Sequence, residues 1–309
     1  MTPLRLGYLY GIGAYLLWGF FPLYFKLLRP TGPLEILAHR IVWSVLFVAL
    51  LLGALRNVGF LRALLRRRWA VAGIVAAAAL IAVNWGTYIY GVSSNRVVET
   101  ALGYFINPLV VVLLGVTVLR ERLRPAQWVA LGIGGSAVAV LAVDYGRLPW
   151  LALTLAFSFA GYGLIKKRLG LPAAEGLFVE SAVLALPALG YLAWLSRHAG
   201  LTFGHVSAGH TALLVLAGAA TAIPLLLFAG AANRLPLTGL GMIQYLAPIL
   251  QLACGVLIFH EPMPPARLAG FALVWLALIV FTADAVNQSR RTRRTHTRRT
   301  ATETPVPTP

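Results

Sequence analysis

The chain has 309 residues, 59% of them apolar and 11% charged, with a mean hydropathy of +0.80 and a net charge of +17. That charge content is too low to cover the surface of a water-soluble domain of this size. The apolar residues gather in runs of about 20 that do not alternate with polar ones, which excludes a β-barrel and leaves helices as the spanning element.

In chain order, membrane spans are expected at 7–28, 35–55, 70–91, 98–119, 126–144, 148–166, 174–195, 210–230, 236–259 and 266–284. The first follows a single basic residue, Arg5, and is too long for a signal-peptide core, so it reads as a retained span. The longest loops, 56–69 and 196–209, leave no room for a soluble catalytic domain. The Arg-, Thr- and Pro-rich tail 287–309 has the composition of a disordered segment. With Cys254 alone, no intrachain disulfide can form.

Nineteen Lys and Arg residues fall on the side of the N-terminus, among them Arg56, Arg62, Arg66, Arg67, Lys166, Lys167 and the tail arginines; six fall on the other. This bias predicts that both termini are cytoplasmic. Because the basic residues sit in short loops and a tail, the net charge marks topology and a lipid-facing anchor rather than nucleic-acid binding.

A self-match runs at a constant offset of 140. Lys26 pairs with Lys166, Glu35 with Glu175, Pro108 with Pro248, Gly115 with Gly255, Glu121 with Glu261 and Pro125 with Pro265. The sequence therefore predicts an all-α membrane protein of ten transmembrane helices, as two five-helix repeats over 1–145 and 146–286. An odd number of spans per half inverts the second copy, the arrangement that secondary transporters use for alternating access.

Arg40 and Glu180 occupy equivalent places inside spans, where a charge costs about 2.5–3.5 kcal/mol on insertion scales and faces a partner or a cavity. They are expected to pair, or to share a solute, across a central cavity; a structural ion pair and snorkelling stand as alternatives. Tyr104 and Asn107 share a stripe of the fourth span, and Gln244, Tyr245 and Gln251 lie in the ninth. Pro108 and Pro248 release the carbonyls of Tyr104 and Gln244, each four residues back. Trp18, Asn84, Trp85 and Tyr88 add mid-span aromatic and amide groups suited to a moderately apolar or aromatic solute. His39 and the edge carboxylates Glu35, Glu121, Glu175 and Glu261 read as structural, and Gly7, Gly11, Gly132, Ser136, Ala266 and Gly270 as packing positions. The sequence holds no nucleotide-binding loop, zinc site or nucleophile elbow, so no catalytic residue, metal or cofactor is assigned.

The strings YGIGAYLLWGFFPLYFKLL, EILAHRIVWS, LGYFINPL and LRERL resemble the RarD family, in the EamA group of the drug/metabolite transporter superfamily, and the resemblance covers about residues 7 to 285. It implies two EamA repeats in an inner membrane and carrier-type transport of a small solute, driven by its own gradient, an exchange partner or a coupling ion. It further implies a cavity lined by the first four helices of each half, with the fifth lying aside and available for homodimer pairing. A membrane enzyme acting on lipid, or a structural or sensory membrane protein, are the competing classes.

Overall fold

The computed structural model describes residues 2–54, 68–120, 122–198 and 200–302. Arg56, Arg62, Arg66, Arg67 and Glu121, used in the readings above, lie outside the described residues, as does the tail beyond Thr302. Every regular element among the described residues is helical: α1 (Pro3–Gly19), α2 (Phe21–Leu27), α3 (Pro33–Ala54), α4 (Arg68–Ser93), α5 (Val97–Leu119), α6 (Pro125–Tyr145), α7 (Trp150–Leu169), α8 (Ala173–His198), α9 (Ala208–Ala232), α10 (Leu237–Ile243), α11 (Leu246–Ala253), a π-helical turn (Cys254–Ile258) and α12 (Pro265–Thr302).

Among the described residues eight helices are long and apolar enough to cross a bilayer, or nine if α1 and α2, bent by 42° at Phe20, form one span. The bend falls just before Pro22, whose ring cannot continue the preceding hydrogen-bond ladder. Helix α7 stands at the expected sixth span but is not among the eight; its last turn carries Lys166, Lys167 and Arg168, which shorten its apolar run.

Pro108 sits inside an unbroken α5, whereas the helix around Pro248 is divided at Gln244–Tyr245 into α10 and α11. Leu237–Ile243 carries two glycines and Pro248 stands just beyond it, so the second helix has more weak points. Helix α12 runs past 287 to Thr302. No Pro or Gly interrupts 271–302, and extending an existing helix avoids the cost of nucleating one.

Two compact units result. One comprises 1–111 and 149–263, the other 112–148 and 264–309. In the first, α3 packs on α8 and α9, α1 on α9 and α11, α4 on α7 and α8. At Gly218 the chain comes closest to another helix's backbone, and a Cβ there would collide with the backbone of Trp43 and Ser44. Gly218→Val should force α9 away from α3, costing about 1–3 kcal/mol or more. Gly132→Val, with nothing within 4 Å, should leave the thermal midpoint of the purified protein unchanged.

In the second unit α6 pairs with α12. Asp144, near the end of α6, binds Arg267 Nε at 2.8 Å near the start of α12, and Arg124, just before α6, binds Asp284 at 2.5 Å near the apolar end of α12. Ion pairs at both ends make the helices antiparallel. Leu141 occupies the space left open by Gly270.

Candidate functional site

Arg40 lies two turns into α3 and is 4% exposed. Its Nε donates to Thr221 Oγ1 on α9 at 2.8 Å, and Thr221 in turn donates to the Ala217 carbonyl of its own helix. The guanidinium lies 4.1 Å from the ring centre of Trp85 on α4, with Phe21 and Phe25 of α2 at 5.5 and 5.8 Å. Such cation–π contacts contribute about 2 kcal/mol when desolvated. Tyr24, Tyr88 and Tyr104 are within electrostatic reach. Among the described residues Arg40 has no carboxylate partner, and neither terminal amino group makes a hydrogen bond to protein.

The rings around it form a connected set. Phe25 meets Tyr88 at 6.0 Å, Tyr88 meets Tyr104 at 5.7 Å, Tyr104 meets Phe159 at 6.2 Å and Phe159 meets Tyr162 at 6.1 Å. Tyr104 donates to Asn84 Oδ1 at 3.3 Å, and Asn84 donates to the Leu155 carbonyl and Ser158 Oγ of α7. The Tyr88 hydroxyl and Asn107 Oδ1 are buried without a hydrogen-bond partner among the described residues.

The aromatic line ends at Glu180, which is 2% exposed. It accepts from Lys166 Nζ at 2.5 Å and from Tyr162 Oη at 3.0 Å, both on α7. The expected pairing of Arg40 with Glu180 is thus replaced by separate partners for each. Trp18 and Gln251 meet, the amide donating to the Trp18 carbonyl at 3.1 Å, while Gln244 and Tyr245 are half-buried at the α10–α11 break.

The structure therefore brings Arg40, Asn84, Trp85, Tyr88 and Tyr104 together and sets Glu180 at the far end of the rings. Thr221, Tyr162, Phe21 and Phe25 were not anticipated. Phe21 and Phe25 at i, i+4 were the one signal available, since such residues share a helix face. Lys166, in the last turn of α7, is the partner of Glu180. A groove of about 770 Å³ lies before and along α9, lined by His205, Ser207, Thr211 and others; none of the expected site residues line it.

Carboxylates read as structural hold the chain together beyond the site. Glu35 accepts from Thr202 N, Thr202 Oγ1 and Phe203 N; Glu261 accepts from Val97 N at 2.6 Å and Val98 N at 2.8 Å at the start of α5; Glu99 binds Arg96 and Leu151 N. Thr31 bonds Thr202 and His210, and Lys26 bonds Asn95. His39 is buried, stacked 4.7 Å from Phe203. Among the described residues no cluster of three or more His, Cys, Asp or Glu could hold a metal ion.

Helices of this length and hydropathy around a charged, aromatic interior define a multi-pass membrane protein. The EamA-like transporter family matches residues 5–143 and again 148–283, and the chain belongs to that family. It is 53% identical to a RarD protein of Streptomyces exfoliatus over 94% of this chain and 92% of that one. It is 43% identical to an uncharacterised transporter, YojE, of Bacillus subtilis over 93% of this chain and 97% of that one. A solved structure, 22% identical, covers 89% of this chain and 96% of the other with a TM-score of 0.55, a likeness of fold.

Proposed function

We propose that the protein is a secondary carrier that moves a small metabolite or drug-like solute across the bacterial inner membrane by alternating access, with both termini cytoplasmic. Arg40, Trp18, Asn84, Trp85, Tyr88, Tyr104, Asn107, Gln244, Tyr245 and Gln251 line the solute path, and Glu180 stands at its far end. The observation that carries this is the buried guanidinium of Arg40 at the meeting of α3, α4 and α9, without a carboxylate partner among the described residues. A charge left without a counter-ion inside a membrane protein marks a substrate or ion route.

The inverted-repeat reading, 1–145 and 146–286 with a tail from 287, is supported by four observations. The family matches twice, once in each half. Under an exchange of halves α3–α8 and α6–α12 map onto themselves, while α1–α9 maps onto α7–α4 and α3–α9 onto α8–α4. The antiparallel course of α6 and α12 is what inversion requires of equivalent helices. Arg120 and His260, 140 apart, are both left-handed, with φ of 56° and 54°, a backbone state uncommon outside glycine.

The test is flux into proteoliposomes. Saturable uptake or counterflow of a solute is expected in the wild type, reduced at least about tenfold in Arg40→Ala and in Glu180→Ala at equal insertion. Unchanged flux in both variants would remove these residues from the path. Absence of saturable flux with any small solute would remove the carrier reading.

A further inference from the structure

We propose that Arg40 is the receptor for a carboxylate, and that the solute is an organic monoanion with a flat, aromatic or similarly apolar body. This rests on the carrier reading and names the substrate class of the same site.

The guanidinium uses one of its five N–H donors, Nε, on Thr221. Its terminal amino groups have no protein partner among the described residues, and parallel N–H pairs of this kind match the two oxygens of a carboxylate. The buried acids of this unit are committed elsewhere. Glu35 serves the 202–203 backbone, Glu99 serves Arg96 and Leu151, Glu180 serves Lys166 and Tyr162, and Glu261 serves Val97 and Val98. An incoming anion would therefore meet a positive charge that no carboxylate among the described residues neutralises. The Tyr88 hydroxyl, 3% exposed as a residue and without a hydrogen-bond partner among the described residues, is a further donor within electrostatic reach of Arg40. Trp85, Tyr88 and Tyr104 supply flat apolar faces for the rest of the molecule. A cationic solute would be repelled by Arg40. A zwitterion would need a free acid beside it, and the one at the other end of the aromatic line is held by Lys166.

The test uses the full-length protein in detergent and three probes of one shape: 3-phenylpropionate, its neutral amide, and 2-phenylethylamine. The acid should raise the thermal midpoint in a saturable way, with the amide at least about tenfold weaker, the discrimination expected when a charge-assisted donor pair is left unfilled. Arg40→Gln should erase the difference between acid and amide. If that variant does not fold, Tyr88→Phe should weaken the acid severalfold and leave the amide unchanged. Equal stabilisation by acid and amide, stronger stabilisation by the amine, or an equal effect of chloride or phosphate would each overturn the proposal. Counterflow separates it from the carrier reading. Binding of the acid without flux removes the carrier and leaves the anion site; flux of the amide or amine but not the acid removes the anion site and leaves the carrier.

Discussion

Glu180→Ala should be the most destabilising single change at the site, by roughly 3–5 kcal/mol, because it strands Lys166 in a partly buried position and strips Tyr162 of its acceptor. The double replacement Lys166→Met with Glu180→Leu removes both charges and keeps the volume, so stability should return to within about 1–2 kcal/mol of wild type. Thermal unfolding of the four proteins in the cycle measures the coupling between the two residues. Flux then separates two roles. A purely structural pair predicts that the double variant transports like wild type. A functional carboxylate predicts a stable protein with little flux. Glu180→Gln adds a finer reading, since it preserves the shape and a hydrogen bond to Tyr162 while removing the charge that holds Lys166.

The second large effect is expected at Glu261. Its carboxylate caps two backbone N–H groups at the start of α5, where a negative charge is also favoured by the helix dipole. Glu261→Ala leaves both donors without an acceptor in a buried place, at about 1–3 kcal/mol each. That end of the bundle should loosen, and Cys254, 2% exposed in the native protein and the chain's one thiol, reports on it directly. N-ethylmaleimide should label Cys254 slowly in the wild type and faster in Glu261→Ala, with Glu261→Gln between them. Labelling at the wild-type rate in the alanine variant would show that the cap does not hold this face shut.

Helices were legible in the sequence because each carries its own signal, an apolar run of bilayer length. The Glu35–Glu175 and Glu121–Glu261 matches were legible for a different reason: repeated architecture leaves repeated residues. Side-chain partnership was the part that composition and offset did not carry. Arg40 and Glu180 each stand seven residues into their helices, about 10 Å from the start. If the second repeat is inverted, equal distance from the start means opposite depth in the membrane. The same symmetry that made them look like partners keeps them apart. Thr221 and Tyr162 were missed because a threonine or tyrosine on a mostly apolar helix becomes informative only when the facing helix is known.

The π-helical turn at Cys254–Ile258 has its own consequence. Phe259 N bonds to the Cys254 carbonyl, a five-residue step where an ordinary helix takes four. The wider ring changes the direction in which the chain leaves, and Glu261 reaches α5 from that exit. Deleting Leu257 would let the segment close as regular helix and swing everything after it by about 100°. One residue of surplus winding therefore acts as the aiming device for the carboxylate, and shortening the chain there should mimic loss of Glu261 without touching it.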